Sequence, residues 1–199
     1  MGLPAGDTKE KPLRMVADVL EREGVLYALI DGVAVQLQSQ EPRTTLDIDL
    51  AVRTFAEIPR EALLRAGFEY EGRFPHSDDW RAPGSTPRTR RTAIQFSAED
   101  VGIDSAVTRA RAVDLDGFRL RVASPADLMI LKLAAAEEPR RRPGKRRQDL
   151  LDVITLAEEH PDAAAAIPAL KERVARLTTN ILTRKLDVNI GGRGRGPER

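Results

Sequence analysis

Residues 27–52, YALIDGVAVQLQSQEPRTTLDIDLAV, leave this chain little freedom in how it folds. The run Tyr-Ala-Leu-Ile at 27–30 is short and wholly apolar, as a buried strand is. Asp31 and Gly32 interrupt it, and residues 33–38 then read as a short helix. Glu41 and Pro42 punctuate the chain, and residues 46–52 alternate as a second strand. Asp47 and Asp49 lie two apart in that strand, so both carboxylates leave one face while Ile48 and Leu50 face a core. An amphipathic strand with a solvated acidic face is one account of the pair. Asp is depleted in strands, however, and adjacent carboxylates repel unless a cation or a proton lies between them. A divalent metal is the natural partner. The strand, Gly-containing turn and short helix before it can hold a phosphate on backbone N–H groups. A phosphate cradle followed by an acid-bearing strand points to an enzyme that uses nucleotides.

The set Asp31-Gly32, Arg43, Thr45 and Asp47-Ile48-Asp49 resembles the signature of the DNA polymerase β-like nucleotidyltransferases. It is most similar to the AbiEii-like group of type IV toxin–antitoxin systems. That group carries Gly-Gly or Gly-Ser, then Arg-x-Thr-x-Asp-hydrophobic-Asp. Here Asp31 stands in place of the first Gly, which puts a negative charge where phosphates approach. The resemblance spans roughly residues 25–156. It implies Mg²⁺ or Mn²⁺ held by Asp47, Asp49 and a third carboxylate from a neighbouring strand, for which Asp104 in Ile103-Asp104-Ser105 is the best match. It also implies nucleoside triphosphate contacts from Asp31, Gly32, Arg43 and Thr45.

Composition limits the alternatives. With 199 residues, 41% hydrophobic and 32% charged, the chain has enough for one core and a well-solvated surface. No apolar run is long enough for a transmembrane helix, and the first residues lack the apolar centre of a secretory signal. The absence of Cys excludes thiol catalysis and Cys-based zinc sites, and two His leave little room for a His-based one. A cytoplasmic protein with no membrane association is the simplest expectation.

Around this centre, residues 12–23 have helical spacing, and Pro59 opens another helix that stops at Gly67. Residues 68–74 read as a strand and 75–91 as a long polar loop, in which Trp80 is more readily a loop anchor than a base-stacking platform. Residues 92–96 and 101–107 read as a hairpin carrying Asp104, and 118–122 as a last strand. Ser124-Pro125-Ala126-Asp127 is a helix start with cap, first-turn Pro and capping acid together. In that helix Lys132 shares a face with Leu128, Leu131 and Ala135, so it either snorkels outward or reaches an anion in the cleft. The family pattern has a Lys at this point and then Arg-x-Lys-Asp-x-x-Asp. This chain reads Arg146-Arg147-Gln148-Asp149-Leu150-Leu151-Asp152, with Gln148 in place of Lys and with Asp149 best placed to meet Lys132. A final helix runs from about 162 toward 177, with Pro168 interrupting it.

The expected fold is therefore α/β (or α+β), a mixed sheet of the nucleotidyltransferase type flanked by helices, with a C-terminal helical part. Residues 1–123 form the catalytic domain, 124–184 the helical part and 185–199 a basic, Gly-rich flexible tail. The implied reaction moves a nucleoside monophosphate from a triphosphate to an acceptor hydroxyl, with Asp47, Asp49, Asp104 and Lys132 as catalytic residues and Asp149 supporting Lys132 at the nucleotide. RNA such as tRNA suits the basic segment 140–147 as acceptor, and a protein hydroxyl is the other option. A cognate antitoxin is the implied protein partner. The competing reading is a catalytically inert module of this fold that binds a nucleotide or a partner. A third, a nucleic-acid-binding protein working through its Arg clusters, leaves the acid pair unexplained.

Overall fold

The computed structural model describes residues 9–39, 47–115 and 117–186, with side chains to residue 181. In chain order the described elements are α1 (Glu10–Arg22), β1 (Tyr27–Ile30), α2 (Asp31–Gln38), β2 (Asp47–Val52), α3 (Arg60–Arg65), β3 (Glu69–Arg73), β4 (Asp78–Arg81), β5 (Ala93–Ser97), α4 (Ile103–Arg109), β6 (Arg111–Leu115), β7 (Phe118–Val122), α5 (Pro125–Glu137), α6 (Pro143–Glu159), α7 (Pro161–Ala165) and α8 (Leu170–Leu186). The strands form one mixed sheet in the order β3-β4-β5-β2-β1-β7-β6. β2 lies near its centre, antiparallel to β1 and parallel to β5, while β1 runs parallel to β7. The α/β architecture with a mixed sheet is as the sequence leads one to expect. Residues 1–8, Arg43, Thr45 and the basic tail fall outside the described residues.

Burial explains the arrangement. β1 is buried at all four positions, which is why it reads as a continuous apolar run. β7 alternates, with Phe118, Leu120 and Val122 in the core and Arg119 and Arg121 on the other face. Arg121 is nonetheless a tie: its guanidinium donates to the carbonyls of Tyr27, Val107 and Ala110, fastening the end of α4 to β1. The start of α5 is capped as its sequence requires. Ser124 Oγ accepts from Asp127 N and donates to the Asp127 carboxylate at 2.5 Å. Arg109 pairs with the same buried carboxylate and binds α4 to α5.

Two segments differ from the sequence reading. Residues 101–107 are expected as a strand but form a turn at 101–102 and the start of α4 from Ile103, because Ile103, Ala106 and Val107 are buried at i, i+3 and i+4, a helical period. Gly102 allows the entry with φ 89, and a Cβ there would lie 3.3 Å from Leu131. The expected loop 75–91 contains β4. Its inward side chains, Asp78 and Trp80, include an acid, so the apolar alternation that marks a strand is missing. Asp78 is fully buried between Arg60 and Trp80, whose Nε1 donates to it at 2.7 Å. The edges of the sheet, β3 and β6, carry Glu69, Glu71, Arg73, Arg111 and Asp114.

Removing Asp78 would leave a half-exposed cation and a buried N–H without their acceptor, so Asp78→Ala should cost about 3 kcal/mol. Trp80 is the sole tryptophan, and its fluorescence should shift to the red in urea at a lower midpoint in the variant.

Candidate active site

Ile30, the last residue of β1, is in register with Asp49 of β2. The chain turns into α2 at the next residue, so the start of that helix stands beside the Asp49 carboxylate. Asp31 makes this turn in the left-handed region, φ 56, which Asp tolerates better than most side chains and Gly accepts freely. The left-handed residue of this tight turn is therefore Asp31 rather than Gly32. Asp47 and Asp49 are half-buried on one face of β2, while Ile48 and Leu50 on the other are fully buried.

The electrostatics of Asp49 follow from this crowding. Burial first, then the charges of Asp31 and Asp47, push its carboxyl up to about 8, with Lys132 and Lys145 pulling the other way. Such a site favours a bound proton or a bound cation. Oxygen donors alone make it a fit for a hard divalent ion such as Mg²⁺ or Mn²⁺.

Beside the acid pair, α5 places Lys132 Nζ among three carboxylates. It contacts Asp31, lies 3.1 Å from Asp149 Oδ1 and lies 3.0 Å from Asp152 Oδ2. The Lys132 side chain is only 5% exposed. Burial alone would lower its pKa, but the three acids outweigh it and hold the lysine protonated above its usual range. Asp31, Asp149 and Asp152 offer ligand atoms within 4.8 Å of one another, as a metal site would, and the Lys132 ammonium lies among them. Arg141 Nε donates to Asp149 Oδ2 at 2.6 Å, and Gln148 donates to Asp152. At the far end of the helix pair, His160 Nε2 meets the Gln38 carbonyl at 2.6 Å and holds α2 to α6.

The structure thus brings together Asp31, Gly32, Asp47, Asp49, Lys132 and Asp149. Asp104 does not join them on a strand; it sits exposed in the first turn of α4, and the residue in register with Asp49 on β5 is Gln95. Asp152 and Lys145 were missed as site residues. Their signal was the spacing 145, 149 and 152, which is one face of a helix. The basic segment also divides: Arg141 is paired and Arg146 is buried with its Nε donating to the Ala136 carbonyl, leaving Arg140, Arg142, Lys145 and Arg147 exposed. An apolar hollow of about 530 Å³ among α6, α7 and α8 contains none of the acid-pair or lysine-cage residues.

A central acid-bearing strand beside a strand–turn–helix junction defines a nucleotidyltransferase-like protein. The fold is similar to an antigenic nucleotidyltransferase-like protein from Paracoccidioides brasiliensis, with 21% identity over 92% of this chain and 91% of that one, at a TM-score of 0.53. The antibiotic-resistance factor ANT(2'')-Ia superposes at 0.53 with 13% identity over 91% and 95%, and JHP933 from Helicobacter pylori at 0.51 with 14% over 94% and 95%. The family model for the nucleotidyl transferase AbiEii toxin of type IV toxin–antitoxin systems matches residues 32–190, and the chain belongs to that family. No curated protein matches the sequence.

Because Asp49 binds its proton more tightly folded than unfolded, folding stability should fall as pH rises from about 4 to about 8. Asp49→Asn removes this contribution. Its melting temperature should exceed that of the wild type at pH 8, with the difference closing toward pH 4; a constant difference across that range would disprove the assignment.

Proposed function

We propose that the chain transfers a nucleoside monophosphate from a nucleoside triphosphate to an acceptor hydroxyl. The observation that supports this reading best is the register of Ile30 with Asp49, which sets the start of α2 against the acid pair. Asp47 and Asp49 would hold the divalent metal. When bound, Mg²⁺ or Mn²⁺ neutralises the phosphates and lowers the pKa of the acceptor hydroxyl. The start of α2 at Asp31 and Gly32 orients the triphosphate, with the N-terminal end of the helix dipole toward it. Lys145, exposed on the α6 face that also bears Asp149 and Asp152, faces the charge that leaves with pyrophosphate. The acceptor oxygen bonds to the α-phosphorus as the bond to the β-phosphate oxygen breaks.

Incubation with each labelled triphosphate, Mg²⁺ and total RNA or protein tests the reaction. Label should appear on an acceptor with the wild type and be absent with Asp47→Asn or Asp49→Asn, both remaining folded. Folded variants that retain activity would refute the metal assignment, and a wild type that labels nothing while failing to bind any triphosphate would favour the inert-module reading.

RNA, such as tRNA, is the proposed acceptor, and the exposed Arg140, Arg142 and Arg147 support it. Phosphate contacts release counterions, at about 0.7 in log–log salt slope per contact on single strands. Replacing the three arginines by Ala should flatten the salt dependence by up to about 2 while leaving nucleotide binding unchanged. If RNA affinity is absent at low salt, a protein acceptor takes its place. A role as the toxin of a type IV pair with a cognate antitoxin, acting in the cytoplasm, accords with the family. Among the described residues no helix is long and apolar enough to cross a membrane.

A further inference from the structure

The face of the sheet that carries the acid pair runs on beyond it. Asp49 is in register with Gln95 on β5, and Gln95 with Asp79 on β4, so the three side chains form a row across adjacent strands on one face. All three are half-buried, while Ile48, Ile94 and Trp80 form the matching row in the core on the other face. Neighbouring strands lie about 4.8 Å apart, so Gln95 is the first side chain met on passing from Asp49 toward β4. Ala93, in register with Asp47, offers no polar group, and Ser97 stands beside Ala51 rather than beside an acid. Gln95 is thus the polar side chain that β5 sets against the acid pair. Its Nε2 donates to Asp79 Oδ2 at 3.5 Å, a long contact that turns the amide nitrogen toward β4. The carbonyl oxygen, on the other branch of the planar amide, is turned away from Asp79.

On the nucleotidyltransferase reading, on which this inference rests, the triphosphate lies at the start of α2, on the β1 side of Asp49. β1 and β5 flank β2 on opposite sides. Phosphoryl transfer keeps the attacking and leaving oxygens roughly in line through phosphorus. An acceptor oxygen therefore approaches from the side of the acid pair away from α2, which is over β5. We propose that Gln95 receives the RNA hydroxyl there: its amide oxygen accepts a hydrogen bond from the acceptor ribose, and Asp79 is the positioning residue that holds the amide in that sense. The contact orients the acceptor, and no covalent bond to Gln95 forms or breaks. It adds to the transfer reading a residue that meets the second substrate. An amide suits the place, because a further carboxylate beside Asp47 and Asp49 would add to their repulsion, whereas Gln supplies an oxygen acceptor without charge.

The test compares wild type with Gln95→Met, Gln95→Glu and Asp79→Asn. Three quantities are read for each protein: the melting shift with Mg²⁺ and each of ATP, GTP, CTP and UTP, the Mn²⁺ affinity without nucleotide, and label transfer from saturating triphosphate onto rising concentrations of total RNA. Gln95→Met keeps the length of the side chain and loses the amide. It should raise the half-saturating RNA concentration about tenfold, as the loss of one hydrogen bond does, with the triphosphate shift and Mn²⁺ affinity at wild-type level. Gln95→Glu keeps an oxygen acceptor and should stay nearer wild type in that concentration, and Asp79→Asn should show a smaller rise than Gln95→Met. Should Gln95→Met not fold, the rise in Asp79→Asn decides. An unchanged half-saturating concentration overturns the proposal and leaves the transfer reading intact. Weaker Mn²⁺ binding in Gln95→Met makes Gln95 a metal ligand and equally overturns it, as do parallel losses in all three readouts, which make its role structural. Label on protein and none on RNA removes the proposed occupant. A wild type that binds no triphosphate, or binds it and labels neither RNA nor protein, overturns the transfer reading and the proposal with it.

Discussion

The buried ammonium of Lys132 holds the site together. It joins three elements distant in sequence: the turn into α2 through Asp31, α5 on which it sits, and α6 through Asp149 and Asp152. A charge buried this deeply is unfavourable unless well paired, and breaking one side of such a pair typically costs several kcal/mol. The cage therefore fixes how far α6 stands from the sheet. It also ties the start of α2, beside Asp49, to α5 and α6.

Two groups of acids lie close together in different electrostatic surroundings. The cage acids have Lys132 and Arg141, whereas Asp49 is raised first by burial and then by the charges of Asp31 and Asp47. The acidic trio at the cage satisfies the distances of a metal site, but the Lys132 ammonium lies among its oxygens.

How much of this could be read from sequence depended on the kind of pattern involved. The Asp47-Ile48-Asp49 alternation fixes a strand and a face by period alone, so it was legible, as was the cap at Ser124 to Asp127. Lys132 with Asp149 was legible only as a pairing between two helices, because their separation in space does not follow from their separation in sequence. Asp104 was misplaced because a short apolar run of mixed period supports either a strand or a helix, and tertiary burial of Ile103, Ala106 and Val107 decided for the helix. β4 escaped because its buried face carries Asp78, whose partners Arg60 and Trp80 cannot be inferred from the strand itself. The division of the basic segment into paired and exposed residues likewise depends on which side of α6 meets α5.

The sequence separations within the cage have a consequence in time. Asp31 and Lys132 are 101 residues apart, and Asp149 follows the lysine by 17. A chain made from its N-terminus has its acid pair at residues 47 and 49 long before residue 132 supplies the cation or residue 152 the last anion. Until then the Lys132 ammonium is absent from beside Asp31 and Asp49. The cage around Lys132 therefore closes only once α6 has been made and packs against α5.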